Sequence, residues 1–216
     1  MTTSFFPELI SRTDEARRSF ENHERIVQAV ADGMPLPRYQ RLLLELYQLV
    51  WHFNPICAAA ASRMSDDSRH VRYFFYKHIE EESGHERWVM DDLEAVGVSA
   101  SDARKSRPMA DTQALVGFNY WTADRREPVA VLGMVYVLEV IASVYGGPFS
   151  TAIKESLLLS GDRGVSFIGS HASLDTKHMA DLRDILNTVQ DESKREAICE
   201  STIVNFDFVT RIFSTV

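Results

Sequence analysis

Two histidines and an aspartate, His171, Asp175 and His178, follow one another at spacings of four and three residues. On an α-helix, residues three and four positions apart lie on the same face, so these side chains would form one polar stripe. Imidazole and carboxylate groups together suit iron, manganese or zinc. The spacing also fits an amphipathic helix with two incidental histidines, and the stripe alone does not separate these interpretations.

A second candidate lies in an acidic stretch, where Glu82 and His85 are three residues apart. A glutamate followed three residues later by a histidine is the pattern with which helical bundles bring both groups to one metal ion. Acidic runs on helices are usually solvated faces, and that alternative applies most directly to Glu80 and Glu81. We keep Glu81 as an alternative ligand to Glu82.

Glu139 stands within a long apolar run, between Met134 and Ile141. A carboxylate in such a run is predicted to be buried, and a buried charge must be paired or bound to a metal ion. No basic residue lies within one helical turn, so a structural partner would have to come from another helix. The predicted ligand set therefore comprises Glu82, His85, Glu139, His171, Asp175 and His178, with Glu45, His52, His78 and Glu81 as less certain members.

The elements that position these residues are predicted to be helices almost throughout, because apolar side chains recur with helical spacing and almost no stretch alternates with period two. The segment 99–108 is polar and is predicted to be a loop. The sequence thus indicates an all-α, single-domain bundle over residues 1–216. Its seven predicted helices cover about 7–31, 37–63 with a kink at Pro55, 69–96, 110–124, 128–159 with an interruption at residues 146–148, 165–189, and a last helix that follows a break at residues 191–193 and runs to the C-terminus.

Composition argues against a nucleic-acid-binding, secreted or membrane protein. The chain has 216 residues, 45% of them hydrophobic, and a formal net charge of −8, with no basic block that would predict nucleic-acid binding. Cys57 and Cys199 have no metal-site spacing and indicate buried thiols in a reducing compartment. The N-terminal residues lack the pattern of a signal peptide, and no apolar run was expected to reach the roughly 18 residues that span a bilayer. We expect a cytoplasmic protein without a membrane partner.

Three motifs together resemble the haem-oxygenase-like diiron oxidases and oxygenases, a family also described as iron-containing redox enzymes and related to the TenA and PqqC proteins. They are EESGHERW at residues 81–88, YVLE at 136–139, and HASLDTKH at 171–178. The likeness extends from about Tyr39 to Leu186. The resemblance implies a haem-oxygenase-like seven-helix bundle with iron between its third, fifth and sixth helices.

By this resemblance the ligands would be His85, Glu139, His171, Asp175 and His178, together with one further carboxylate on the third helix. Relatives have that carboxylate either three or seven positions before the histidine. Here those positions hold Glu82 and His78, which favours Glu82 and leaves His78 in doubt. Some relatives also use a glutamate of the second helix, for which Glu45 is the nearest candidate.

The function implied is oxidation of a small organic substrate, with two Fe(II) ions per chain and O2 as co-substrate. N-oxygenation, C–H or C–C cleavage and decarboxylation all remain open. One alternative is a metal-free enzyme or binding protein like PqqC or TenA. The other is a haem-degrading oxygenase with His23 as axial ligand. The YVLE motif and Gly146-Gly147 also resemble the distal helix of haem oxygenases. A homodimer is possible through the apolar last helix, which carries Phe206, Phe208, Ile212 and Phe213.

Overall fold

The computed structural model describes residues 4–216, except for the side chains of residues 171–176. Over this range the chain is all-α, with eleven α-helices, two short 3₁₀ turns at Asp66–Ser68 and Pro128–Val131, and no strand. The helices are α1 (Phe5–Arg12), α2 (Asp14–Glu21), α3 (Glu24–Asp32), α4 (Leu36–Arg63), α5 (Arg69–Glu82), α6 (His85–Ala95), α7 (Ala100–Lys105), α8 (Ala110–Arg125), α9 (Leu132–Leu157), α10 (Ser166–Thr188) and α11 (Glu192–Thr215).

Helix α9 forms the centre of the bundle and packs most extensively against α10 and α11. Gly133 permits the closest approach, because a Cβ atom there would lie 2.8 Å from the carbonyl oxygen of Ile198. The side chains of α9 between Leu132 and Val137 are all buried, as expected for a helix surrounded by others. This central helix carries Glu139 into the interior.

The expectation about membrane-length apolar runs was wrong. The stretch Pro128–Leu157 contains an 18-residue window with a mean hydropathy of 2.0, which by length and composition could cross a membrane. However, 67% of that window is buried inside the bundle. Its apolar character is therefore that of a core helix in a soluble protein.

The N-terminal segment forms three helices, not the one predicted over 7–31. Thr13 ends α1, and its hydroxyl donates a hydrogen bond to the carbonyl of Leu9 at 2.8 Å. Asn22 ends α2, and its amide donates to the carbonyl of Arg18 at 2.8 Å. Threonine and asparagine side chains compete with the helical backbone in this way, and apolar periodicity alone does not reveal such breaks.

The predicted third helix is also divided, because α5 ends at Glu82 and α6 begins at His85. Between them Gly84 has a φ of +98°, in the left-handed region that favours glycine. The glutamate and histidine expected on one continuous helix thus lie on either side of a turn.

The remaining differences concern a helix that was missed and an interruption that does not occur. Ser99 caps α7, accepting a hydrogen bond from the backbone N–H of Asp102 at 3.1 Å, within the predicted loop. Conversely, α9 continues through residues 146–148 without the predicted interruption, whereas α4 continues through Pro55 as predicted and the kink at Pro55 stays a prediction. Both proline rings are exposed. The count of eleven described helices, against seven predicted, follows mainly from these short elements and turns.

Candidate metal centre

Four helices bring the candidate residues together. The last turn of α5 carries His78, Glu81 and Glu82, α9 carries Glu139, and α10 carries His178. His85 opens α6 immediately after the turn at Gly84. All of these side chains are buried except Glu81, which is partly exposed. The bundle therefore collects imidazole and carboxylate groups in its interior from segments about 100 residues apart in sequence.

Glu139 lies between two imidazoles. Its Oε1 atom is 3.3 Å from His78 Nε2 and 3.3 Å from His178 Nδ1. The rings of His78 and His178 meet edge to face, with centroids 5.2 Å apart. No lysine or arginine approaches Glu139 within ion-pair distance among the described residues, so the partners that the sequence required from other helices are histidines.

Two of the three glutamates of α5 approach different nitrogen atoms of His178. Glu82 Oε1 is 3.5 Å from His178 Nδ1, and Glu81 Oε2 is 3.7 Å from His178 Nε2. Glu82 also accepts a hydrogen bond from His85, whose Nδ1 lies 2.6 Å from Glu82 Oε2. Glu82 thus connects the imidazole of α6 with the imidazole of α10.

The residues of the cluster form two overlapping groups, in each of which one ligand atom per residue lies within 4.8 Å of the others. One group is His78, Glu81 and His178, and the other is His78, Glu82 and Glu139. Neighbouring ligands that bind one ion at about 2.1 Å lie roughly 3.0–3.4 Å apart in octahedral or tetrahedral geometry. The 3.3 Å separations around Glu139 match that spacing.

Three buried atoms in the cluster, His78 Nε2, Glu139 Oε2 and His178 Nδ1, have no aligned hydrogen-bond partner among the described residues. Buried polar atoms are normally hydrogen-bonded, and one without a partner costs free energy. A cation among them would compensate that cost. On this observation and on the chemistry of the donor set, the residues present fit a transition-metal ion such as iron.

The electrostatics of the cluster favour charge on both partners of the central pair. Burial alone would raise the pKa of Glu139, but its pairing with His178 and His78 outweighs burial and lowers that pKa. The pKa of His178 is raised, chiefly by Glu139 and against the effect of burial. A proton on His178 therefore balances part of the carboxylate charge when no metal is bound.

Aromatic side chains fix the orientation of the imidazoles. The ring of Phe74 stacks on His78 with centroids 5.4 Å apart, and Phe53 contacts the same imidazole edge to face at 5.6 Å. Trp88 stacks on His85 at 4.2 Å. Because neighbouring aromatic rings pack against each imidazole, its rotation is restricted and its nitrogen atoms keep fixed directions, as the ligands of a metal centre require.

The solvent side of the cluster is closed by ion pairs between α5 and α10. Lys177 pairs with Glu81 Oε1, and Lys77 pairs with Asp181 at 2.5 Å. Lys77 is also 3.9 Å from Glu81 Oε1. Glu81 is therefore shared between two lysines and His178, at the boundary between the buried groups and water.

Two of the less certain candidates, Glu45 and His52, lie elsewhere. Glu45 is buried, pairs with Arg41 and accepts a hydrogen bond from the backbone N–H of Met109 at 2.9 Å, so it anchors the start of α8. His52 faces α8, where its Nδ1 is 3.0 Å from the hydroxyl of Tyr120. Burial lowers the pKa of His52.

His23 lies at the N-terminal end of α3. His171 and Asp175 lie outside the described side chains, so their predicted role stays a prediction. The residue that sequence reasoning left in doubt, His78, is instead at the centre of the cluster. The signal that could have identified it is its position three and four residues before Glu81 and Glu82, which puts all three on one face of α5.

A cavity of about 140 Å³ adjoins the cluster, and Glu82 and Glu139 form part of its wall. The rest of the described wall is apolar or aromatic, with residues from α2, α3, α4, α9, α10 and α11. His23 is not part of that wall. The cavity is therefore lined by two of the proposed carboxylate ligands, but not by His23, the axial ligand in the haem alternative.

Comparison with known proteins adds family information. Residues 40–203 match the sequence profile of a family described as iron-containing redox enzyme. No curated protein sequence matches the chain significantly.

Solved structures show the same fold at low sequence identity. A domain of unknown function with a haem oxygenase-like fold from Shewanella denitrificans is 21% identical, with a TM-score of 0.86, and the match covers 100% of this chain and 92% of that one. A TenA homologue from Pseudomonas syringae is 14% identical, with a TM-score of 0.83, covering 98% and 91%. A haem oxygenase from the cyanobacterium Synechocystis, in complex with haem, is 13% identical, with a TM-score of 0.79, covering 99% and 92%.

Proposed function

The chain belongs to the family of iron-containing redox enzymes, and from that premise we propose that it is a non-haem diiron oxidase or oxygenase acting on a small organic substrate with O2 as co-substrate. The observation that carries the proposal is that two imidazole nitrogens, His78 Nε2 and His178 Nδ1, each lie 3.3 Å from Glu139 Oε1 in the buried centre of the bundle. Mixed imidazole and carboxylate ligands are typical of non-haem iron sites.

The proposed ligands are of two kinds. Geometry supports His78, Glu82, Glu139 and His178, which share the buried cluster, and Glu81 at its outer edge. Sequence pattern and family resemblance support His85, His171 and Asp175. The number of two ions per chain comes from the family resemblance, because the two groups of potential ligands overlap at His78.

Iron bound at these residues supplies the redox chemistry with which dioxygen is activated. The side chains of this protein supply order and exclusion of water. Phe53 and Phe74 hold the ring of His78, and Glu82 holds His85 through a 2.6 Å hydrogen bond. The charge of Glu139, whose Oε1 lies 3.3 Å from His178 Nδ1, stabilises the protonated form of that imidazole.

The apolar cavity beside Glu82 and Glu139 provides the place for the substrate, next to the proposed ligands. Water has few polar partners there, so reactive species formed at the centre would be shielded from solvent. The alternative of a haem-degrading oxygenase gains no support from His23, which does not reach the cavity wall.

Anaerobic Fe(II) titration of the metal-free protein tests the proposal. We expect uptake near two ions per chain in the wild type and a clear loss of bound iron in His78→Ala and Glu139→Gln. His70→Ala is the matched control, because His70 is exposed on the same helix as His78. Oxygen consumption after addition of iron should likewise be lost in His78→Ala and Glu139→Gln and retained in the wild type and His70→Ala.

Full iron content and full oxygen consumption in both cluster variants would overturn the proposal. Absence of iron uptake by the wild type would favour a metal-free enzyme or binding protein. A haem titration with a Soret shift that His23→Ala abolishes would favour the haem alternative.

A further inference from the structure

Helix α9 lines the cavity beside the proposed iron ligands over about three turns, from Leu138 to Phe149. Glu139, Ala142, Gly146 and Phe149 all form part of its wall, at the spacing of one helical face. The rise of an α-helix gives this stripe a length of about 15 Å from Glu139 to Phe149. Ala142 and Gly146 have the smallest side chains of the stripe, so space remains between its two ends.

Among the described residues of this wall, the carboxylates are Glu82 and Glu139, which lie at one end of the α9 stripe, and no lysine, arginine or histidine is present. The part of the wall on α4 consists of Leu46, Leu49, Val50 and Phe53. An ionic group bound away from the carboxylates would have no charged partner among these described residues, and burying an unpaired charge costs several kcal/mol.

We propose that the substrate is an unbranched aliphatic chain with one polar end group, which lies at Glu82 and Glu139 while the chain extends along α9 towards Phe149. The reaction at that end group depends on the proposed iron chemistry, whereas binding of the aliphatic part of the substrate does not. A zwitterionic amino acid with a polar side chain is disfavoured, because its second polar group would point into the apolar part of the cavity.

Binding of a homologous series tests the inference. The metal-free and the Zn(II)-loaded protein are titrated with unbranched alkanols and alkanoates of increasing length by calorimetry. Affinity should rise about fourfold for each added methylene, as expected for burial of a CH2 group, and then stop rising when the cavity is full. The neutral alkanols report on the chain alone, and the alkanoates report on the end group.

Two substitutions that fill the cavity locate the chain. Ala142→Phe reduces the space one turn beyond Glu139 and should shift the optimum to a shorter chain, with at least a tenfold loss for the longest ligand. Val50→Phe reduces the space from the α4 part of the wall and serves as a second variant if Ala142→Phe does not fold. Val144→Phe is the control, because Val144 is on the same helix but is 53% exposed and outside the wall.

The inference is overturned if affinity does not depend on chain length, if polar amino acids bind more tightly than alkanols, or if neither filling variant shifts the optimum. The inference would also be overturned if haem displaced a bound alkanol and its Soret band shifted, because the cavity would then be a haem site. Fe(II) uptake by wild type and Ala142→Phe is measured in parallel. Chain binding without iron uptake would leave this inference standing and refute only the diiron proposal.

Discussion

At the scale of single residues, the proton on His178 makes metal binding dependent on pH. The pKa of His178 is raised, chiefly by Glu139, so its imidazole keeps a proton at higher pH than an ordinary histidine. A metal ligand must be deprotonated, and binding therefore releases this proton. We expect the affinity for Fe(II) or Zn(II) to fall as the pH is lowered from about 8 to about 6.

Calorimetric titration with Zn(II) in buffers of different ionisation enthalpy measures the released protons directly. In Glu139→Gln the main cause of the raised pKa is removed, and proton release at neutral pH should decrease. An affinity that is constant over this pH range, with no proton release, would contradict the assignment of His178 as a ligand.

The sequence identified Glu139 and His178 because their types are unusual in their surroundings: a carboxylate in an apolar run and a histidine in a regular polar stripe. His78 was left in doubt because its place in the family pattern is taken elsewhere by a carboxylate. Only the packing of α5 against α9 and α10 shows that its Nε2 points at Glu139. Glu45 was a reasonable candidate by residue type, yet its partners are Arg41 and the backbone of Met109, which no local pattern reveals.

At the scale of helices, Asp92 joins two elements that carry proposed ligands. It lies on α6, and its carboxylate accepts hydrogen bonds from the backbone N–H groups of Gly164, Ser166 and Phe167 at the start of α10. Burial raises the pKa of Asp92, with these hydrogen bonds opposing the effect. We expect Asp92→Ala to lower the free energy of unfolding by about 2–3 kcal/mol.

The same variant should also weaken metal binding, because α10 carries His178 and loses its anchor to α6. Asp191→Ala is the matched control, since Asp191 caps α11 through Ser193 and Lys194 at the surface. The control should cost about 1 kcal/mol of stability and leave metal affinity unchanged. Urea denaturation and Zn(II) titration of both variants provide the comparison, and equal metal affinities would contradict the positioning role.

The turn between α5 and α6 depends on Gly84. A Cβ atom there would meet nothing within 4 Å, but its φ of +98° is strained for other residues. Gly84→Ala should therefore cost about 1–2 kcal/mol through backbone strain alone. Gly117→Ala, in an exposed helical position of α8, should instead stabilise by about 0.5–1 kcal/mol. Chemical denaturation of the two variants tests this opposite sign; a stabilising Gly84→Ala would contradict it.

Element type was largely predictable from the sequence, whereas several element ends were not. Apolar periodicity identified α4, α8, α10 and α11 to within a few residues. It could not show the turn at Gly84, because a single glycine in a helical pattern is compatible with either a helix or a break. It also suggested an interruption at Gly146-Gly147-Pro148, where α9 continues and Gly146 instead forms part of the cavity wall.

At the scale of the whole molecule, one bound metal centre would tie together α5, α9 and α10. A ligand that binds only the folded state stabilises it by about 2.7 kcal/mol at a hundredfold excess over its Kd. For a protein of this size that corresponds to a rise in Tm of roughly 5–11 °C. Anaerobic thermal scans with and without Fe(II) measure the shift, which His78→Ala should largely abolish and His70→Ala should retain.

The predicted homodimer and the predicted cytoplasmic location stay predictions. The apolar residues of α11 that suggested a dimer are largely used within the bundle: Phe206 and Ile212 belong to the core, and Phe208 and Phe213 pack against it. Size-exclusion chromatography with light scattering would determine the oligomeric state. The all-α, haem-oxygenase-like fold itself is confirmed by the helices of the structure and by its similarity to solved haem-oxygenase-like structures.

The apolar helix α9 has a consequence for how the protein is made. It is complete at residue 157, but the helices that cover it, α10 and α11, require residues 158–215 to be added. At about 5–20 residues per second, translation leaves this membrane-like helix without its covering helices for about 3–12 s. We therefore expect newly made chains to depend on chaperones, and slower or colder expression to change the yield of folded protein more than any surface substitution does.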